Sequence, residues 1–219
     1  CGEYGEGKMS DPFIIAQEID KYFLSQRNNK KFNALITAGP TNEYLDPVRF
    51  ITNKSSGKQG YELAKSLSKK GFDTTLISGP TNLEITKDIN LIKVETADEM
   101  LVATQENLPV DVAIFSAAVA DFKINKKSKK KIKKQESLNL NLEKNIDILD
   151  YVSNHNSMRP NLVIGFASGF TPCPKVWKIK PACPESTVYV NELHSIITGR
   201  TNIIPIAIIL ILAFSLGLL

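Results

Sequence analysis

The sequence predicts an α/β fold: a mostly parallel sheet with helices on both faces, incomplete at its C-terminal end. Three observations point there. Short apolar runs alternate with amphipathic stretches between residues 31 and 168. Two of those runs end in Gly-Pro, at Gly39-Pro40 and Gly79-Pro80, where a strand would have to turn. Beyond residue 168 the alternation is lost and Pro, Cys and Lys become frequent. Apolar strands separated by helices are the mark of a sheet buried on both faces.

The elements follow in order. Asp11 and Pro12 suit the N-cap and first position of a helix, with Phe13, Ile14, Ile19, Tyr22 and Phe23 as its apolar stripe. The polar residues 26–31 read as a linker. Residues 34–38 form a short apolar strand. Ser56 and Gln59 have the spacing of a capping box, which predicts a helix starting near Gly57. Its buried face would be Leu63, Ala64 and Leu67, and Gly71 would end it. Strands are predicted over 72–78, 91–94, 110–116 and 162–167, and helices over 97–106 and 147–152. The arrangement is Rossmann-like, and such sheets bind ligands beyond the carboxyl ends of their strands. Here those ends are 37–41, 78–81 and 116–121. Residues 203–219 are almost wholly apolar, but slightly short for a membrane span and interrupted by Pro205.

Composition narrows the classes. The 219 residues carry 27 Lys and Arg against 23 Asp and Glu, a net charge of +4. Eight lysines fall between Lys123 and Lys134, so the excess is local and implies an anionic partner or a solvated loop. Nucleic acid is not the expected partner, because aromatic residues are not interleaved with the lysines and only Phe122 is near. The three cysteines, Cys1, Cys173 and Cys183, form no CxxC and lie near neither His155 nor His194, which argues against structural zinc. Their scatter fits a reducing compartment and a cytoplasmic protein. The chain opens at Cys1 without an initiator methionine and reads as a fragment.

Chemistry-bearing residues gather at the strand ends. Asn53-Lys-Ser-Ser-Gly-Lys58 leads into a helix with two lysines and two hydroxyls. It fits a phosphate-binding turn or, equally, a helix cap with solvated lysines. It is no P-loop, and no GxGxxG follows the first strand. The lysine run has three readings: a solvated loop, a nucleic-acid contact, or a flap over a polyanionic substrate. Asp121 at a strand end suits a ribose, a base, a metal or a simple turn cap. The two histidines lie outside these loops, which disfavours histidine acid–base catalysis.

Several segments together resemble one family. Thr37-Ala-Gly-Pro-Thr41, Leu45-Asp-Pro-Val-Arg49, Asn53-Lys-Ser-Ser-Gly-Lys-Gln-Gly60 and Ser78-Gly-Pro80 occur in order. Ser116-Ala-Ala-Val-Ala-Asp121, Lys131-Ile-Lys-Lys134 and Gly165-Phe-Ala167 follow. Residues 31–168 so resemble the ligase domain of bacterial bifunctional phosphopantothenoylcysteine decarboxylase/phosphopantothenate–cysteine ligases. Cys1-Gly-Glu-Tyr-Gly-Glu-Gly-Lys-Met9 is similar to the last loop of the decarboxylase domain, so 1–30 would be its remnant plus a linker. Cys1 would match that domain's proton donor, with FMN confined to the part not in this chain.

The resemblance implies coenzyme A biosynthesis by a two-step ligation. The carboxylate of 4'-phosphopantothenate would attack the α-phosphate of CTP, accompanied by Mg2+, and the amine of cysteine would displace CMP. It assigns the nucleotide site to Phe115, Ser116, Ala117, Asp121, Lys131, Ile146, Asp147, Ile148, Leu149 and Phe166. It assigns Asn53 to the acyl-phosphate region and Arg49 to a substrate or subunit contact. Lys131 would be the flap lysine of the second step. A homodimer is also implied.

Two departures stand out. The family has proline where Ile146 stands. After Gly165-Phe-Ala167 it continues with a glutamate and a lysine-bearing helix, but here Gly169 occupies the glutamate's place and residues 169–219 are unlike it. That tail reads as a frameshift or chimera, against a membrane-anchored variant, and it would impair ligase activity in this chain. The rival functional classes are an NAD(P)-binding oxidoreductase and a membrane-anchored binding protein.

Overall fold

The computed structural model describes residues 11–24, 31–134, 137–166 and, for the backbone alone, 186–190. The resembling segment at Cys1–Met9 and the apolar stretch 203–219 lie outside the described residues.

Helix α1 (Pro12–Leu24) starts as the Asp11-Pro12 pair requires, with Asp11 Oδ1 accepting from the Phe13 N–H at 2.8 Å. Its buried face is Ile15, Ala16, Ile19 and Phe23, while Phe13 is exposed, so the stripe is rotated by a residue or two from the one predicted. The chain then runs β1 (Asn33–Ala38), β2 (Asn42–Asp46), β3 (Arg49–Thr52), α2 (Lys58–Lys69), β4 (Asp73–Ser78) and β5 (Asn90–Lys93). It continues as α3 (Ala97–Glu106), β6 (Val112–Phe115), β7 (Phe122–Ile124), β8 (Leu142–Lys144), α4 (Ile148–Ser153), β9 (Leu162–Phe166) and β10 (Ser186–Val190).

Six strands form one sheet in the order β10-β9-β6-β1-β4-β5, every neighbouring pair parallel. Strand side chains alternate between faces, and the two cores show it. Ala34, Ile36 and Ala38 of β1 join Leu76, Ile114 and Ile164 under α1 and α2. Leu35, Ile77, Ala113 and Val163 face the other way, toward Met100 and Leu101 of α3 and Ile148 and Val152 of α4. Phe23 of α1, Phe32 and Phe72 stack at the amino-terminal edge, with ring centroids 4.7 to 6.0 Å apart. Helix α1 therefore shares the core of the sheet.

Sequence and structure differ at four further places. The Ser56–Gln59 capping box does not form. Gly57, at φ 71°, is the N-cap of α2, there is no side-chain cap, and Gln59 Nε2 is buried without a hydrogen-bond partner. The left-handed turn at Gly57 moves the helix start one residue past the register a Ser56 cap would need. A capping box does form at α3, unforeseen: Thr96 Oγ1 accepts from the Glu99 N–H at 3.2 Å, and Glu99 Oε2 accepts from the Thr96 N–H at 3.4 Å. Replacing Thr96 by alanine should cost about 1 kcal/mol and lower the melting temperature by roughly 2–4 °C, measurable by thermal unfolding. The third difference is a pair of two-stranded antiparallel ribbons, β2–β3 and β7–β8, and the fourth is β10, which extends the sheet from within the tail.

Candidate active site

In chain order the sheet strands run outward from β1 through β4 to β5, then restart beside β1 at β6 and run outward through β9 to β10. The direction reverses between β1 and β6, and the loops leaving these two strands part there to open a crevice. Threonines hold the two loops in register. The Ser116 N–H and Ser116 Oγ both donate to the Thr37 carbonyl, at 3.2 and 2.6 Å. The Ala117 N–H reaches Thr37 Oγ1 at 3.4 Å, and the Ala120 N–H donates to Thr41 Oγ1 at 3.0 Å. The Ala118 N–H donates to the Gly39 carbonyl at 2.8 Å.

Other predicted residues converge on this loop. Asn53 Nδ2 donates to the carbonyls of Val119 at 2.9 Å and Ala118 at 3.4 Å. The exposed Asp121 offers its carbonyl to the Asn145 N–H at 2.8 Å, and Asn145 Nδ2 donates to the Ala120 carbonyl at 2.7 Å. That brings the turn at Ile146 and Asp147 beside the loop. Asp147 is the N-cap of α4, its Oδ1 accepting from the Asp150 N–H at 3.0 Å. Ile146 is exposed, Ile148 is buried in the core, and Leu149 packs against Gly165. Phe166 ends β9, one residue past Gly165, which pairs with Phe115. Thus Asn53, Phe115, Ser116, Ala117, Asp121, residues 146–149 and Phe166 meet at or beside the crevice.

On the other side of β1, a cleft of about 590 Å³ opens at the ends of β4 and β5. Ser55 and Ser56 line it from the start of α2, facing Ser78, Gly79 and Thr81. Tyr61 braces it from below: its hydroxyl donates to Ser78 Oγ at 3.1 Å and accepts from Thr81 Oγ1 at 2.9 Å. The N-cap Gly57 has no side chain to cap α2, and the two serines take up nearby donors: Ser55 Oγ accepts from the Gly57 N–H at 3.2 Å and Ser56 Oγ from the Lys58 N–H at 3.4 Å, at the positive dipole end of the helix. Tyr61, Lys93 and Glu95, which complete this cleft, are not singled out by any motif in the sequence.

Lys131 and Arg49 form a separate group. Lys131 is exposed on an extended arm, residues 125–134, which lies against the β2–β3 ribbon. The Ser128 N–H donates to the Leu45 carbonyl at 2.9 Å, the Ile132 N–H to Asp46 Oδ2 at 3.0 Å, and Arg49 Nη2 to the Ile132 carbonyl at 3.3 Å. Asp46 is only 2 % exposed. Burial pushes its carboxyl up, but the N–H groups of Val48, Ile132 and Arg49 and the Arg49 guanidinium outweigh that and hold it below the usual aspartate range. The β2–β3 ribbon links the two groups, carrying Arg49 at one end and running into Asn53 at the other. Cys1 lies outside the described residues.

No group of three or more His, Cys, Asp or Glu is placed to hold a metal among the described residues. No described helix is long and apolar enough to cross a membrane.

Comparison with known proteins places the chain. The coenzyme A biosynthesis bifunctional protein CoaBC of Haemophilus influenzae is 40% identical over 170 residues, which cover 77% of this chain and 42% of that protein. The Escherichia coli protein of the same name is 39% identical over 173 residues, again covering 77% and 42%. The chain thus spans less than half the length of these curated relatives. Among solved structures, the C-terminal domain of a CoaBC protein superposes with a TM-score of 0.52 at 40% identity, covering 62% of this chain and 64% of that one. The family described as the DNA/pantothenate metabolism flavoprotein C-terminal domain matches residues 29–172, more than half of the sequence, and the chain belongs to it.

Proposed function

We propose that this chain carries the site of a phosphopantothenate–cysteine ligase, which joins 4'-phosphopantothenate to cysteine through an acyl-cytidylate in coenzyme A biosynthesis. The observation that carries the reading is the meeting of Asn53 with the 116–121 loop where the sheet reverses, beside an uncapped helix N-terminus. The names of the relatives support the pathway.

A carboxylate does not react with an amine, so it must first become an activated acyl donor. Transfer of the cytidylyl group makes it a mixed anhydride and releases pyrophosphate. The cysteine amine then attacks the acyl carbon, loses a proton and expels CMP. The protein's work is to hold anions in line and to neutralise developing charge. Phe115, Ser116, Ala117, Asp121, Phe166 and the 146–149 turn would seat the nucleotide, Ile148 through its backbone because its side chain is in the core. Asn53 would orient the acyl phosphate, and Lys131 would serve the cysteine step. Mg2+ fits as the companion of the triphosphate: without an acidic cluster among the described residues, phosphate oxygens and water would be its main ligands. FMN would belong to the decarboxylase reaction, and the segment resembling that domain's loop lies outside the described residues. A homodimer accords with the exposed Val48 and Phe50 on one ribbon and Phe122 and Leu142 on the other. A cytoplasmic location follows from the pathway.

The test is CTP-dependent release of pyrophosphate on adding 4'-phosphopantothenate. It should be run on this chain and on a chimera carrying, after Ser168, the C-terminal residues of the Haemophilus influenzae relative. Release from the chimera is expected, with weaker or no release from the unaltered chain. A chimera that folds and still releases none overturns the reading.

A further inference from the structure

We infer that Asp46 is a positioning residue: its carboxylate, with Arg49, grips the peptide of Ile132 and so fixes the place of the adjacent Lys131. The inference rests on the ligase reading only for what Lys131 does once it is placed.

Both main-chain polar groups of Ile132 are held. Its N–H donates to Asp46 Oδ2 at 3.0 Å, and its carbonyl accepts from Arg49 Nη2 at 3.3 Å. The guanidinium also meets Asp46, with Nη1 3.4 Å from the same Oδ2. Carboxylate, guanidinium and peptide close a ring, and charge-assisted bonds are stronger than neutral ones. The other oxygen serves the ribbon itself, since Oδ1 accepts from the N–H groups of Val48 and Arg49, each at 2.9 Å. The division of labour is clear: Oδ1 builds the β2–β3 turn and Oδ2 holds the arm.

The arm is also shaped just before Lys131. Ser128 Oγ donates to the Lys130 carbonyl at 2.6 Å, and the Ser128 N–H is tied to Leu45 at 2.9 Å. Lys131 thus sits between a closed turn and a gripped peptide. Its ammonium stays exposed, because no lysine side chain makes these attachments. An ion pair could not do the same work, since the carboxylate would accept any of the neighbouring lysines equally. A bond to one peptide N–H sets the register of a run that is otherwise nearly uniform in charge.

The variant Asp46→Asn separates the two functions, because its amide oxygen can keep the turn while its NH2 group faces the Ile132 N–H. Trypsin cleavage within residues 126–134 should accelerate about tenfold, with a melting temperature close to that of the unaltered chain. In the active chimera, pyrophosphate release and the KM for CTP should hold, while kcat for the cysteine step falls about tenfold. Unchanged cleavage of the arm, or an unchanged cysteine step in the active chimera, overturns the proposal. If the variant does not fold, hydrogen exchange on the unaltered chain decides: the Ser128 and Ile132 amides should exchange at least about tenfold more slowly than those of Lys127 and Lys133. Equal exchange overturns the proposal. A chimera without ligase activity would fell the ligase reading, while proteolysis and exchange would still decide whether Asp46 holds the arm.

Discussion

Replacing Lys131 by glutamine should stop ligation after its first half. In the chimera, CTP and 4'-phosphopantothenate should still release pyrophosphate, and the acyl-cytidylate should accumulate. Product formed with cysteine should fall about a hundredfold or more, the scale seen when a charge-stabilising group is removed from a reacting centre. The reason lies in the placement of the residues. The loop proposed to seat the nucleotide is stapled to Thr37 and Thr41 rather than to the arm. Lys131 lies outside that scaffold, on a segment fastened to the β2–β3 ribbon. Quenched-flow separation of cytidylate from product reads both halves. Equal product from the two proteins would remove Lys131 from the mechanism.

The second large effect is structural. Gly79 lies where the loops leaving β1 and β4 cross, and its N–H donates to the Ala38 carbonyl at 3.0 Å. A Cβ at this position would fall on the carbonyl oxygen and carbon of Pro40. These are backbone atoms and cannot swing aside as a side chain would. Gly79→Ala must therefore push apart the strand ends that frame both the crevice and the cleft. A loss of roughly 3 kcal/mol, at the upper end of ordinary overpacking costs, is expected, read as a lower denaturant midpoint with an unchanged slope. Stability within about 0.5 kcal/mol of the parent would mean the loops are free to move apart and that Gly79 does not pin them.

Much of the sheet was legible in the sequence because its strands are runs of buried apolar residues bounded by turns. Residues 34–38, 72–78, 91–94, 110–116 and 162–167 each overlap an observed strand, with ends shifted by at most two residues, and α3 matches its predicted span. The ribbons were hidden for physical reasons. Asn-Glu-Tyr-Leu-Asp in β2 mixes charge with apolar residues, and its buried Glu43 accepts from the Ala97 N–H, 54 residues away. All three residues of β8 are exposed, so no alternation could appear. The cap of α2 was misread because Ser56 and Gln59 have the right spacing, while the turn is set by Gly57.

The candidate site divides in the same way. Asn53 and the 116–121 loop could be named from motifs, and the structure brings them into contact. Asp46 stood inside a quoted motif, yet its purpose could not be read there: the peptide it holds is 86 residues further along the chain. Pairings between a side chain and a distant backbone leave no periodic trace, because any residue except proline can supply the N–H.

The way the arm is held also sets how much mutation it tolerates. The lysine arm is moored by main-chain donors at positions 128 and 132, so the side chain at 132 can drift and neighbouring lysines can become arginines without loosening it. Proline is barred from these two sites, since it has no hydrogen to give, and position 128 also calls for the hydroxyl that closes the turn at Lys130. A saturation library selected for function should therefore show a permissive, cation-rich tract around an indispensable Lys131, with proline excluded at 128 and 132, while Asp46, far away in the chain, admits almost nothing else.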